Sequence, residues 1–290
     1  MIVTSLAPWF GGKRNMAATI ANLIGPHKAY WEPFCGSMAV LLAKPKVTNE
    51  TVNDLHDDLI NLAWTIQHHK LGPALYRHLR RVIPHQTEMT AARAILDQPF
   101  EAVRTDPNLE RAAAYFISSW IGMSGLSGTP AGEQRKRGVA RRFTSNGGSP
   151  GARFCNAVES IPAWRERMRR VFVLKTCGLE ICERVEDKAG TAIYADPPYL
   201  VKSVEYTHDF KPADHERLAK ALARFKLTRV VVSYYDHHWL NDLYPPARWQ
   251  RIDCTRTKSI NNPNAKAKEE KRLAPEVLLV NSQQSGELFG

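Results

Sequence analysis

Residues 27–54 read HKAYWEPFCGSMAVLLAKPKVTNETVND, and their rhythm decides the fold. HKAYWEPF (27–34) reads as a short strand that stops at Pro33, because proline cannot donate to a strand ladder. CGSMAVLLA (35–43) reads as a glycine turn entering an apolar helix, and VTNETVND (47–54) as a second strand ending on Asp54. DLINLAWTIQHH (58–69) then places Leu59, Leu62, Ala63 and Ile66 at helical spacing. Strand, helix, strand, helix in this order predicts an α/β fold with a parallel sheet and crossover helices.

Around residue 70 the pattern changes. Residues 71–125 are mostly helical by spacing, as in LERAAAYFISSWIG (109–122), and a basic, Gly/Ser-rich stretch follows. The α/β rhythm resumes with WRERMRRV as helix, FVLKTC as strand, GLEICERV as helix and TAIYADPPY as strand. DHERLAKALARF (214–225) puts Leu218, Leu222 and Phe225 on one face, with Asp214 as its expected N-cap. LTRVVVSYY (227–235) and APEVLLVNS (274–282) read as buried strands. The expected organisation is an α/β domain of residues 1–70 plus 155–290, interrupted by a helical and basic module at 71–154.

The chain has 290 residues, with 40 basic against 29 acidic side chains and a net charge of +11, which favours a polyanionic partner, nucleic acid first. The charge is concentrated. RKRGVARRFTSNGGSPGAR (135–153) carries Arg135, Lys136, Arg137, Arg141, Arg142 and Arg153 without an acid, and is expected to be a flexible loop that moulds to phosphates. A second basic loop, 255–272, offers Arg256, Lys258, Lys266, Lys268, Lys271 and Arg272 against Glu269 and Glu270. No apolar run approaches the ~20 residues of a membrane helix, and the N-terminal residues lack the order of a signal peptide. Five cysteines without a CxxC pair argue for reduced thiols in a cytoplasm, against a disulfide framework or a zinc site. The doublets His68-His69 and His237-His238 point in different directions on a regular element, so no shared metal is expected.

Three further features ask for one explanation. PWFGGKR (8–14) sets two glycines before Lys13, so backbone can approach a ligand while an ammonium reaches an anion. EPFCGSMAV (32–40) is a strand-to-helix turn around Gly36, where parallel α/β folds bind nucleotides. Asp54 follows Gly36 by eighteen residues at the end of the next strand, close to the offset at which an acid accepts ribose hydroxyls. Downstream, YADPPYL (194–200) ends a buried strand in Asp196-Pro197-Pro198-Tyr199, a stiff loop whose polar groups hold fixed directions.

In these elements the chain resembles the DNA amino-methyltransferases that use S-adenosylmethionine, above all the adenine-specific group of bacterial Dam-type enzymes and their phage relatives. The resemblance rests on residues 8–13, on Glu32-Pro33-Phe34-Cys35-Gly36-Ser37, on Asp54 and on Asp196 to Tyr199, and touches little of 71–150. It implies a Rossmann-like methyltransferase sheet with an inserted, mostly helical DNA-recognition module. It implies S-adenosylmethionine as donor, no metal, double-stranded DNA as partner, a monomer or weak dimer on DNA, and the cytoplasm of a bacterial cell or phage-infected host. Trp9, Lys13, Phe34, Gly36 and Asp54, with Asp196, would line the donor site. Asp196 and the Pro197 carbonyl would accept the two N–H groups of a flipped-out adenine, Pro198 would stiffen the loop, and Tyr199 would stack on the base. Arg135, Lys136, Arg137, Arg141, Arg142, Arg256 and Lys258 would hold DNA phosphates. Tyr206 either shapes the base pocket or is an ordinary half-buried loop aromatic. Where the family usually continues the loop with a glycine, this chain has Ser37-Met38, and Met38 either crowds the donor or points into the core. The competing readings are methylation of the cytosine amino group, and a catalytically silent DNA-binding protein.

Overall fold

The computed structural model of the chain describes residues 3–9, 11–122, 149–199, 210–254, 256–257, 273–274 and 276–282. Each strand expected from the sequence forms, somewhat shorter than its apolar run: β1 (Ala29–Glu32), β2 (Asn49–Asn53), β3 (Val171–Leu174), β4 (Thr191–Ala195) and β5 (Arg229–Tyr235). β6 (Trp249–Asp253) was not expected, and β7 (Glu276–Asn281) is the strand anticipated at 274–282. The order across the sheet is β3-β2-β1-β4-β5-β7-β6. The first five strands pair in parallel. β7 runs antiparallel to both of its neighbours, wedged between β5 and β6. A two-residue pairing of Arg256–Thr257 with Leu273–Ala274 lies apart from this sheet.

Helices cover both faces, which is why the central strands read as unbroken apolar runs. Ala192 and Tyr194 of β4 point into one core with Val231, Leu278 and Val280. Ile193 and Ala195 point into the other with Val230, Val232, Val277 and Leu279. On the first face lie α1 (Ala17–Ile24), α2 (Ala39–Ala43), α3 (Asp57–Gln67), α4 (Leu71–Leu79), α5 (Gln86–Leu96), α6 (Leu109–Ile121) and α7 (Pro150–Met168). The second carries α8 (Gly178–Arg184), α9 (Pro212–Ala223) and α10 (Leu240–Leu243). Helices α4 to α6, assigned by sequence to the insert, share a continuous core with α3. Arg111 of α6 secures that junction. Its guanidinium donates to Asp58 at 2.6 Å and to the carbonyls of Ile95, Leu96 and Gln98 at 3.0, 3.0 and 2.8 Å, so a nearly buried charge is fully satisfied.

Two local expectations are corrected. The basic stretch does not stay a loop through residue 153, because Ser149 accepts from the Ala152 amide at 3.2 Å and caps α7, with Pro150 in its first turn. Asp214 does not cap α9. The helix starts two residues earlier at Pro212, and Asp214 reaches back to accept from the Lys211 amide at 2.8 Å. What the topology does for function is simple. Parallel pairing brings the C-terminal ends of β1, β2, β4 and β5 to one edge, with Glu32 opposite Val52, and Ala195 opposite Val232. The glycine loop, Asp54 and Asp196 therefore meet there.

Candidate active site

The loop after β1 is held from three sides. Leu6 donates its amide to Ser37 at 3.0 Å, and Cys35 donates to the Asn53 carbonyl at 2.8 Å. Asn53 also bridges outward, donating to the carbonyls of Pro33 and Thr176 at 2.9 Å each and accepting from the Thr176 amide at 2.9 Å. Asp54 completes the clamp: one oxygen accepts from the Gly36 amide at 2.9 Å, the other from the His56 amide at 3.0 Å. A carboxylate has about four acceptor positions, so two stay available for ribose hydroxyls.

Gly36 has φ +43°, and a Cβ there would lie 2.9 Å from the Trp9 indole nitrogen. Glycine alone lets the loop turn this way with the indole against it. Gly178, the first residue of α8, gives room of another kind: a Cβ there would lie 2.4 Å from the Phe34 ring. Met38 resolves the question its position raised. It adopts the left-handed conformation at the start of α2, φ 59° and ψ 30°, and its side chain is wholly buried in the core beneath the loop, away from the cleft.

The result is an open cleft at this edge of the sheet. Trp9, Phe34, Leu55 and Phe210 give it apolar walls, Asn53, Asp54 and His56 a polar flank, and Asp196 to Pro198 an end. Phe34 and Phe210 meet edge to face, their centroids 5.5 Å apart. A nucleoside carrying an amino-acid tail fits this donor set: aromatic walls for a base, Asp54 for vicinal hydroxyls, and a glycine cradle that any side chain would fill.

At the end of the cleft the catalytic candidates form a connected cluster. The Lys13 ammonium, 5% exposed, lies 2.9 Å from one oxygen of Asp196 and 3.1 Å from Glu276, and donates to the Gly11 carbonyl at 2.6 Å. The other oxygen of Asp196 accepts from Ser233 at 2.7 Å and from the Tyr199 hydroxyl at 3.0 Å. That hydroxyl is also 2.8 Å from Glu276. Tyr199 is turned inward, its ring edge-on to Tyr235 at 4.6 Å with Lys13 5.0 Å from its centroid. Burial raises the pKa of Asp196 above the ordinary aspartate value, against the pull of Lys13, and raises that of Tyr199 well above a normal phenol. Beneath the site Glu32, buried and accepting from Tyr30 at 2.9 Å, is pushed up to about 8, chiefly by desolvation.

Trp9, Lys13, Phe34, Gly36, Asp54, Asp196, Pro197 and Pro198 all line this one cleft; Tyr199 does not, being buried behind it with its hydroxyl bonded to Asp196. Arg135, Lys136, Arg137, Arg141, Arg142, Lys258 and Tyr206 lie outside the described residues, as does the side chain of Arg256. Sequence reasoning missed Asn53, Phe210, Ser233 and Glu276. The available signal was positional: Ser233 lies near the C-terminal end of β5, and Glu276 opens β7 opposite Tyr235, at the same edge of the sheet.

Residues 9–108 match the model of the D12 class N6 adenine-specific DNA methyltransferases. No curated protein matches the chain in sequence. Among solved structures, a Clostridium thermocellum protein provisionally described as an rRNA methylase aligns over 93% of this chain and 96% of its own, at 9% identity and a TM-score of 0.38. SMU.472, provisionally described as a methyltransferase and solved with SAH, aligns over 96% of this chain at 12% identity and a TM-score of 0.35; the alignment takes in 54% of that protein's length. Scores this low say nothing of substrate, and the fold rests on the strand order. The sequence match is the informative one, because it spans the Trp9–Lys13 segment, the glycine loop and Asp54, and names adenine where cytosine was the rival base. Through residues 9–108 the chain is similar to the D12 class of N6 adenine-specific DNA methyltransferases.

Proposed function

We propose that this cleft methylates the amino nitrogen of an adenine turned out of double-stranded DNA, with Asp196 and the Pro197 carbonyl as the acceptors that prepare it. The supporting observation is the position of Asp196: at the end of β4, one-fifth exposed, its carboxylate borders the cleft that Gly36 and Asp54 also line. The bound donor supplies an electrophilic sulfonium methyl group. The protein's own work is on the acceptor. The adenine amino lone pair is delocalised into the ring. Two acceptors at fixed positions draw the N–H groups out of the ring plane, localise the lone pair, and stabilise positive charge as it develops. Pro197 and Pro198 hold those acceptors stiff. Asp196 must be ionised for this, and a buried carboxylate beside Lys13 can be. Trp9, Phe34 and Asp54 hold the donor, and Tyr199 offers an aromatic surface to the base once its hydroxyl leaves Asp196.

Residues 71–154 and the basic loop at 255–272 take the DNA in this reading. Arg135, Lys136, Arg137, Arg141, Arg142, Arg256 and Lys258 contribute phosphate contacts, as expected of a basic chain acting on duplex DNA as a monomer or weak dimer. The setting is the cytoplasm of a bacterial cell or phage-infected host. Among the described residues no helix is long and apolar enough to cross a membrane.

The decisive experiment incubates the purified chain with unmethylated DNA and S-adenosylmethionine, digests the DNA to nucleosides and weighs them. N6-methyldeoxyadenosine is expected. Methylated deoxycytidine would keep the chemistry and overturn the base. Asp196→Ala should cut transfer by at least about a hundredfold while leaving DNA affinity nearly unchanged, and retained activity would remove Asp196 from the mechanism.

A further inference from the structure

In the substrate-free site Asp196 is already engaged. Of about four acceptor positions on a carboxylate, three face donors: Ser233 and the Tyr199 hydroxyl, whose one hydrogen is shared with Glu276, at one oxygen, and Lys13 at the other. An adenine amino group must compete with these donors for the acid. Competition with Lys13 is the severe one, because a 5% exposed ammonium cannot lose an anionic partner without a large desolvation cost.

Two of the three donors share a second acceptor. The same oxygen of Glu276 lies 2.8 Å from the Tyr199 hydroxyl and 3.1 Å from the Lys13 ammonium. Glu276 stands at the start of β7, paired with Tyr235 across the ladder, so its place is set by the sheet and not by a loop. Its side chain is 19% exposed and makes no call on Asp196 itself beyond like-charge repulsion. We infer that Glu276 is a positioning residue of the methyl-transfer site, the acceptor to which Lys13 and Tyr199 retreat so that Asp196 can take the adenine amino group. This rests on the reading of Asp196 given above. When the base arrives, the ammonium stays paired and the phenol stays bonded. The carboxylate of Asp196, ionised already, then has lone pairs open to the adenine amino group, which a charged acceptor binds strongly.

The test is a double-mutant cycle on Glu276→Gln and Lys13→Met. It is read as the single-turnover rate of adenine methylation with donor and DNA saturating, with a thermal melt of each variant. Glutamine keeps an acceptor oxygen and loses the charge, so Lys13 stays on Asp196. The rate should fall about ten- to a hundredfold, the worth of a charge-assisted hydrogen bond, with donor affinity unchanged. In the same variant the acid limb of the rate profile should move to lower pH, since Asp196 keeps its cation and loses a neighbouring negative charge. With Lys13→Met in place, Glu276→Gln should cost nothing more, within about twofold. Glu276→Asp, which keeps the charge on a shorter arm, should lose less than Gln. An unimpaired Glu276→Gln overturns the inference, as does an equal loss in both backgrounds or a greater loss with Asp than with Gln. If the unsubstituted chain makes no N6-methyladenine, the parent reading fails and takes this one with it. A failure confined to the variants sinks the handover alone.

Discussion

At the scale of single residues, the competition between burial and a buried cation sets the working range of Asp196. Desolvation raises its pKa above the ordinary aspartate value, and Lys13 is the largest opposing influence. The acceptor must be ionised, so the rate of methyl transfer should fall as pH drops through that raised value. Without the ammonium the pKa climbs further. Lys13→Met should therefore move the acid limb to higher pH, measured by single-turnover rates across pH; an unmoved limb would mean that the titrating group is not Asp196. Lys13, Gly36, Asp54 and Asp196 were all legible before any coordinates, because glycine loops and acids at strand ends carry their reason locally. Ser233 and Glu276 were not. They lie 37 and 77 residues from the groups they contact, and nothing in SYY or EVLLV says which strand will neighbour β4 or β5.

At the scale of elements, the turn into α2 shows one residue caught between backbone and core. Met38 occupies a left-handed position that disfavours a side chain by about 1–2 kcal/mol. It also fills a fully buried space whose loss costs about 2–5 kcal/mol. The second effect is larger, so Met38→Gly should destabilise the fold by about 1–3 kcal/mol in a urea melt, with donor affinity little changed because the side chain points away from the cleft. Stabilisation would mean that the core closes over the gap. Gly36→Ala is expected to act in the opposite sense on function: its Cβ displaces Trp9 and should weaken donor binding more than it lowers the melting point. The strands buried on both faces announced themselves as apolar runs. β6 did not, because among the described residues WQRID is an edge strand pairing with β7 alone, with Gln250, Arg251 and Asp253 exposed to water. Its polar residues look like loop.

At the scale of the whole molecule, a net charge of +11 should make duplex binding steeply salt-dependent. Replacing Arg135, Lys136, Arg137, Arg141 and Arg142 by alanine should flatten the plot of log affinity against log salt by about 0.9 for each phosphate no longer neutralised, equally for any DNA sequence. An unchanged slope would clear this stretch of any part in binding. Charge and composition made a nucleic-acid partner legible, but not the packing of the helices at 71–121. Their tie to α3 runs through Arg111 and Asp58, an ordinary basic and an ordinary acidic residue until folding buries them together.

The wedged position of β7 has a consequence in time. Lys13 is made early, Asp196 much later, and Glu276 comes 77 residues after Tyr199. At about 5–20 residues per second, a ribosome needs about 4–15 s to go from one to the other. Throughout that interval the growing polypeptide carries its whole DPPY sequence, yet β5 has no neighbour on one edge and the carboxylate that will receive the ammonium and the phenol is still unmade. A chain released before β7 is made therefore lacks both the neighbour of β5 and the acceptor for Lys13 and Tyr199.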